Sequence, residues 1–179
     1  MAVSLILHIP HASTVIPWED ENAFLPRFVP ERWDEIRGLH KTEREERKKS
    51  IQEELLAMTD WYADELFDHG LGIVVSSPVS RLVCDMERFF HEEEEPMAAK
   101  GMGFCYTHGS KGTPIKEVSR EYQDDVLFRY YAPHHLTLEE TVETEILGGE
   151  GDGVLILDCH SFSPEPLPYE HDQTTPRPD

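Results

Sequence analysis

Two histidines follow apolar stretches near opposite ends of the sequence, and both could ligate a metal. His11 comes after the apolar residues 3–9, and His160 comes after the apolar residues 154–157. Proline cannot sit in a central strand, so Pro10 ends the first stretch and leaves His11 in the loop beyond it. Imidazole is a common metal ligand, and two strands that each end in a histidine indicate a shared metal. Taken alone, His11 is equally compatible with an ordinary loop histidine.

The stretch around His160 carries further polar groups. Strand alternation places Asp158 and His160 on one face and Cys159 on the other, and Ser161 follows directly. In an open α/β sheet, ligands and metals bind just beyond the carboxyl ends of the strands. A charged residue and an imidazole at that point therefore indicate a functional site rather than a core.

The pattern of apolar residues predicts an α/β fold with a mainly parallel or mixed central sheet flanked by helices. Strands are expected at 3–9, 71–75, 79–85 and 154–159. Because residues 154–157 are apolar without interruption, the last strand is expected to be buried on both faces.

Two helical segments lie between these strands. The apolar stripe of the first predicts a helix over 42–69, which Gly70 ends. The second is predicted over 116–147, and Pro133 should break or kink it. Residues 89–112 contain an acidic run and several glycines, which we interpret as a long excursion that could form a flap over the active site.

The composition limits the classes of partner and the location of the protein. The 179 residues contain 16 Lys plus Arg and 36 Asp plus Glu, so the formal net charge is −20. A surface this acidic argues against nucleic acid and anionic membranes as partners. The sequence shows neither a membrane-spanning apolar run nor a signal peptide, which predicts a cytoplasmic protein. We expect one domain over 1–163, followed by a proline-rich tail at 164–179 that is poorly ordered.

The predicted strand 79–85 carries charged side chains on one face. Arg81 and Asp85 share that face, and Glu87 and Arg88 lie just beyond its end. This arrangement is typical of a wall that contacts a polar substrate. An edge strand with a solvated face is the alternative.

Five sequence blocks run in order through nearly the whole chain. They are Pro-His-Ala-Ser at 10–13, Thr-Asp-Trp-Tyr at 59–62, Ser-Arg-Leu-Val-Cys-Asp-Met-Glu-Arg at 80–88, Tyr-Tyr-Ala-Pro-His-His at 130–135 and Asp-Cys-His-Ser at 158–161. Together they resemble the N-formylglutamate amidohydrolase family. The resemblance implies a zinc-carboxypeptidase-like α/β fold and metal-assisted hydrolysis of N-formyl-L-glutamate to formate and glutamate.

The resemblance also implies that His11 and His160 ligate zinc. In the wider carboxypeptidase-like group a ligating glutamate comes three residues after the first histidine, where this chain has Thr14. We expect Asp60, from the Thr-Asp block, to ligate the metal in place of this glutamate. The alternative interpretation is that Asp60 is a solvated carboxylate on a helix. Asp85 resembles the carboxylate that orients the first zinc histidine.

For the substrate, Arg88 resembles the arginine that holds the substrate's carboxylate, a role that suits a planar guanidinium. Arg81 is a second candidate for substrate binding and catalysis, and Ser161 is a further candidate for binding. The family pattern Asp-x-Asn-Arg reads Asp-Met-Glu-Arg here, so Glu87 puts an anion beside the expected anion site. The remaining candidates, which would support the metal ligands without binding the metal, are Asp158 and His135.

The carboxylate that shuttles the proton in the resembling families lies in sequence that this chain does not contain. Glu165 and Glu170 are the acids that could replace it. We therefore expect the 179-residue chain to hydrolyse N-formylglutamate poorly and a version extended past Asp179 to be active. A second copy of the chain could dock on the sheet edge left uncovered, which would make the protein a homo-oligomer.

Two classes of function stay open at this point. The first is a zinc amidohydrolase that acts on a small acidic N-acyl amino acid, either N-formylglutamate or another such compound. The second is a metal-binding but catalytically inactive relative that serves as a binding or regulatory module. The five blocks favour the first class, whereas Glu87 and the missing carboxylate favour the second.

Overall fold

A three-stranded parallel sheet lies at the centre of the fold. The computed structural model describes residues 3–24, 39–148, 153–170 and 172–175. The strands are β1 (Val3–Ile9), β2 (Ile73–Ser76) and β3 (Gly153–Asp158), in the spatial order β2-β1-β3. His8 pairs with Asp158 and Ile9 pairs with Ser76, so the carboxyl ends of all three strands meet at one edge of the sheet. The predicted α/β fold with a parallel sheet is confirmed, and three of the four expected strands are present.

Helices lie between β1 and β2 and between β2 and β3. They are α1 (Trp18–Phe24), α2 (Leu39–Met58), α3 (Ala63–Phe67), α4 (Arg120–Val126) and α5 (Ala132–Gly148), with a π-helical turn at Leu127–Tyr131 and a 3₁₀ turn at Ala98–Lys100. Within the described part of the chain, no helix is long and apolar enough to cross a membrane.

The predicted strand at 79–85 is wrong, because these residues form consecutive turns. The amide of Val83 donates to the carbonyl of Ser80 at 2.8 Å, and the hydroxyl of Ser80 accepts from the amide of Leu82 at 3.2 Å. A serine that bonds to nearby backbone competes with a strand ladder. Val79, Leu82 and Val83 are each at most 2% exposed, so the apolar pattern reflects a buried turn in the core rather than a pleat.

The single helix predicted over 42–69 is also wrong, because it is interrupted after Met58. The hydroxyl of Thr59 donates to the carbonyl of Leu55 at 2.7 Å, and Tyr62 adopts a left-handed conformation with φ 64°. Between them, the amide of Asp60 donates to the carbonyl of His11 at 3.1 Å. The interruption therefore brings Asp60 to the end of β1.

Pro133 does not break the second helical segment. The chain continues from α4 through the π-helical turn into α5, and Pro133 is the second residue of α5. Proline cannot donate to the carbonyl four residues earlier, and its ring would clash with that carbonyl in a regular helix. The π-helical turn directly before it relieves this conflict, since its hydrogen bonds span five residues.

The expectation of a flap at 89–112 is wrong, because this segment supplies much of the core. Met102, Phe104 and Tyr106 are at most 3% exposed and pack in the main apolar cluster with residues of the 79–86 turns. Even the acidic run is partly internal. Glu95 is 5% exposed and accepts hydrogen bonds from the amides of Phe89 and Met97 at 3.0 and 2.8 Å.

The predicted burial of β3 on both faces is wrong. This strand lies at the edge of the sheet, and its central residues Leu155, Ile156 and Leu157 are 50%, 42% and 42% exposed. A uniformly apolar run does not distinguish a central strand from an edge strand, since both carry the same residue types. Docking of a second copy at this edge stays a prediction.

Candidate active site

Three separate elements bring His11, Asp60 and His160 together at the carboxyl edge of the sheet. His11 follows β1, Asp60 lies in the interruption after α2, and His160 follows β3. Asp60 Oδ2 is 2.7 Å from His160 Nδ1 and 3.8 Å from His11 Nδ1. One potential ligand atom from each residue lies within 4.8 Å of the other two. The structure thus clusters the three residues for which zinc ligation was expected.

His11 is buried and has one free ring nitrogen. Its Nε2 lies 2.8 Å from Asp85 Oδ1, and the residue is 2% exposed. Among the described residues, its Nδ1 has no hydrogen-bond partner, although it faces Asp60. Buried polar atoms nearly always have a partner. An unpaired imidazole nitrogen beside a carboxylate and a second imidazole is what a bound divalent metal would require, so the donor set fits zinc.

Asp85 is the charged residue around which the buried part of the site is arranged. Its carboxylate is 0% exposed and accepts from Arg81 Nη2 and from the hydroxyl of Tyr106, both at 2.8 Å. Burial alone would raise the pKa of Asp85, but the charges of Arg81 and His11 hold it well below its usual range. Asp85 therefore stays ionised and fixes the orientation of His11.

His160 is more exposed and contacts carboxylates through both ring nitrogens. Its side chain is 36% exposed, and its Nε2 lies 3.0 Å from Glu87 Oε1. The hydrogen bonds to Asp60 and Glu87 raise the pKa of His160 to about 10. Burial would raise the pKa of Asp60, but the nearby His11 and the hydrogen bond with His160 lower it to about 2. The contact with Glu87 was not expected from the sequence, which pointed to Glu87 only as an anion near the substrate.

The two arginines proposed for the substrate are both engaged with carboxylates. Arg81 donates to Asp85 through Nε at 3.2 Å and Nη2 at 2.8 Å, and its Nη1 is 4.0 Å from Asp60 Oδ1. Arg88 Nε lies 3.6 Å from Asp85 Oδ2, and its Nη1 lies 3.6 Å from Glu95 Oε1. Arg81, unlike Arg88, lines an open cavity above the clustered residues.

An open cavity of about 450 Å³ lies over the clustered residues. Besides His11, Asp60 and His160, the residues that line it are Ala57, Met58, Thr59, Arg81, Glu87, Ser161, Phe162, Ser163, Leu167, Tyr169 and Glu170. Ser161 lines the cavity beside the three clustered residues, but its hydroxyl donates to the carbonyl of Trp61 at 2.7 Å. Glu170 lines the cavity, whereas Glu165 does not, and the backbone amide of Glu165 donates to the hydroxyl of Ser163. This volume is large enough for a small substrate.

Asp158 and His135 contact a second group of histidines instead of the three clustered residues. Asp158 Oδ1 lies 2.6 Å from His8 Nδ1, and His8 Nε2 lies 2.8 Å from His134 Nε2. The ring of His135 packs against Tyr131, with ring centroids 4.3 Å apart. His8 and His134 were not among the residues expected at the site. A histidine inside the otherwise apolar stretch 3–9 was the available signal for the first of them.

Replacing His134 with glutamine is expected to reduce the loss of stability in mild acid. Burial, together with nearby His8 and His135, lowers the pKa of His134 from 6.5 to about 4. The unfolded chain binds this proton more readily, so stability that is complete above pH 6.5 is lost as the pH falls toward 4. Urea unfolding between about pH 7 and about pH 4.5 tests this, with the exposed His69→Gln as the control. An equally steep pH dependence in His134→Gln would contradict it.

The comparisons with known proteins agree with the expectation from the sequence blocks. The family model described as N-formylglutamate amidohydrolase matches residues 3–179. A solved structure, the N-formylglutamate amidohydrolase from Ralstonia eutropha JMP134, is similar to this chain with a TM-score of 0.61 and 19% identity. The similarity covers 93% of this chain and 60% of that chain. No curated protein matches the sequence significantly.

At 19% identity, the similarity to the solved structure shows a shared fold and nothing further. This chain spans about three fifths of that protein's length. The family model extends over almost the whole sequence, including the blocks that contain His11, Asp60 and His160. The chain therefore belongs to the N-formylglutamate amidohydrolase family.

Proposed function

We propose that this chain is a zinc-dependent amidohydrolase that cleaves the formyl amide of N-formyl-L-glutamate or a closely similar N-acyl amino acid. The observation that carries the proposal is the unpartnered Nδ1 of buried His11, which faces Asp60 and lies in a cluster with His160. Two imidazoles and a carboxylate are a donor set that catalytic zinc sites use, with one position left for water or substrate. We also propose that the sheet belongs to a zinc-carboxypeptidase-like fold.

The residues of the chain have separate roles in this proposal. His11, Asp60 and His160 hold the metal, and Asp85 keeps His11 in the tautomer whose Nδ1 is free. When bound, zinc supplies Lewis acidity, which polarises the formyl oxygen and makes a water molecule more acidic. Arg81 lines the cavity and provides positive charge near the reacting oxygen.

Hydrolysis also requires a group that moves a proton from the water to the leaving amine. We assign this role to Glu170, because its side chain lines the same cavity as the metal ligands. The backbone amide of Leu167 donates to Glu170 Oε1 at 2.8 Å, which fixes the carboxylate in place. Addition of water to the formyl carbon and cleavage of its bond to nitrogen release formate and the free amino acid.

Release of formate from N-formylglutamate by the zinc-loaded chain tests this function. Glu170→Gln is expected to lower kcat by about 10²–10⁴, the usual contribution of general acid–base catalysis. Glu165→Gln is the matched control, since Glu165 is an exposed acid of the same tail. Equal kcat values in both variants would contradict the role of Glu170.

A metal-binding protein without turnover is the second candidate, and the engagement of the arginines favours it. Arg81 and Arg88 face Asp85, Asp60 and Glu95, so carboxylates of the chain compete with the carboxylates of a substrate. Stoichiometric zinc binding without formate release from either N-formylglutamate or N-formylglutamine would support this candidate. Release from N-formylglutamine alone would instead assign the chain a different N-acyl substrate.

A further inference from the structure

Glu87 lies between the two histidines of the candidate metal site. Its carboxylate approaches both rings on the side away from Asp60, with Oε1 3.0 Å from His160 Nε2 and Oε2 3.5 Å from His11 Nε2. Its backbone is fixed as well, since its amide donates to Asp85 Oδ1 at 3.1 Å. Glu87 is therefore held in place from the buried side of the site.

His160 needs such a contact more than His11 does. His11 is 2% exposed, and Asp85 already holds its Nε2. His160 follows an edge strand and its side chain is 36% exposed, so fewer packing contacts restrict its ring. Glu87 gives His160 the same arrangement that Asp85 gives His11, with Nδ1 toward Asp60 and Nε2 against a carboxylate.

We propose that Glu87 is a positioning residue for the metal site, which holds His160 with its proton on Nε2 and its Nδ1 directed at the metal. A histidine that binds a metal usually donates its other ring N–H to a carboxylate, which fixes the tautomer and the ring orientation. The inference rests on the proposed zinc site and adds a role for a residue that the sequence suggested only as an obstacle to substrate binding.

A positioning role and a substrate-binding role for Glu87 predict different effects on zinc affinity when the carboxylate is removed. Loss of a carboxylate that orients a metal ligand typically weakens metal affinity by about 10–100-fold. Loss of an anion that only lines the cavity would alter substrate binding and leave the affinity for zinc the same. Measuring zinc affinity in the absence of substrate therefore separates the two roles.

The experiment measures the Kd for zinc by competition with a chromophoric chelator in the wild type, Glu87→Ala and Glu87→Gln. The alanine variant is expected to bind zinc about 10–100-fold more weakly. The glutamine variant should fall between it and the wild type, because its amide oxygen still accepts from Nε2–H without the charge. The exposed Glu143→Gln on α5 is the matched control and should bind zinc like the wild type.

Two further measurements make the result decisive. Nitrogen-15 NMR of the zinc-loaded wild type should show His160 protonated at Nε2, and Glu87→Ala should lose or broaden that signal. Urea unfolding of the metal-free variants checks that each one is folded. Zinc affinity and an Nε2–H signal in Glu87→Ala equal to those of the wild type would overturn the inference and leave the metal site standing. A wild-type chain that binds no zinc would overturn both this role and the proposed function.

Discussion

His11→Ala is expected to abolish stoichiometric zinc binding. His11 Nδ1 is buried, unpartnered among the described residues and directed toward Asp60, so its removal leaves two potential ligands where catalytic zinc sites use three. Metal analysis after dialysis, together with titration calorimetry, measures the stoichiometry and the Kd. His69→Ala removes an exposed histidine outside the cluster and is expected to leave one zinc per chain. Retention of one tightly bound zinc in His11→Ala would reject the assignment.

A matched pair of aspartates tests the third ligand. Asp60 is 8% exposed and contacts His160, whereas Asp64 is exposed and accepts from the amide of Glu65 at 3.0 Å. Asp60→Ala should therefore lose zinc binding, and Asp64→Ala should retain it. The opposite order would show that Asp60 is not the third zinc ligand.

Asp85→Ala is expected to produce the largest loss of stability among single substitutions at the site. Its carboxylate is hydrogen-bonded to Arg81, Tyr106 and His11, and the residue is 0% exposed. Removing one partner of a buried ion pair leaves the other charge without compensation and typically costs about 3–5 kcal/mol. The unfolding free energy in urea measures this cost.

Two controls separate the charge of Asp85 from its packing. Asp68→Ala changes an exposed aspartate and is expected to alter the unfolding free energy by less than about 0.5 kcal/mol. Asp85→Asn keeps the shape of the side chain but removes the charge that faces Arg81, so it should also destabilise the protein. A loss below about 1 kcal/mol in Asp85→Ala would show that Arg81 finds another partner or solvent.

The two histidines of the site, each of which follows a strand, could be predicted from the sequence. Apolar runs before Pro10 and before Asp158 identified β1 and β3, and the carboxyl ends of parallel strands share one edge of a sheet. The approach of His11 and His160 follows from that geometry. It depends on local sequence and on a general property of parallel sheets, so no knowledge of the tertiary contacts was needed.

The positions of the carboxylates depended on contacts between distant residues. Helical periodicity placed Asp60 inside a helix, but its amide bonds to the carbonyl of His11 where the helix is interrupted. Asp85 was expected on a strand, yet it ends a series of buried turns and is held by Tyr106 and His11. A pattern of apolar and polar residues is the same for a strand and for a buried turn, so it could not distinguish them.

The sequence by itself therefore determined the parallel strands, the two histidines at their ends and, through the ordered blocks, the family. The pairing of Asp85 with His11 was expected from the resemblance, whereas the tertiary structure alone decided that Glu87 faces His160 Nε2. Glu87 and His160 are 73 positions apart, and their 3.0 Å contact exists because the turns after Ser80 and the end of β3 meet over the same cavity. Residue types and spacing indicate which groups a side chain can bond to, whereas the packing of the whole chain determines which of these groups it contacts.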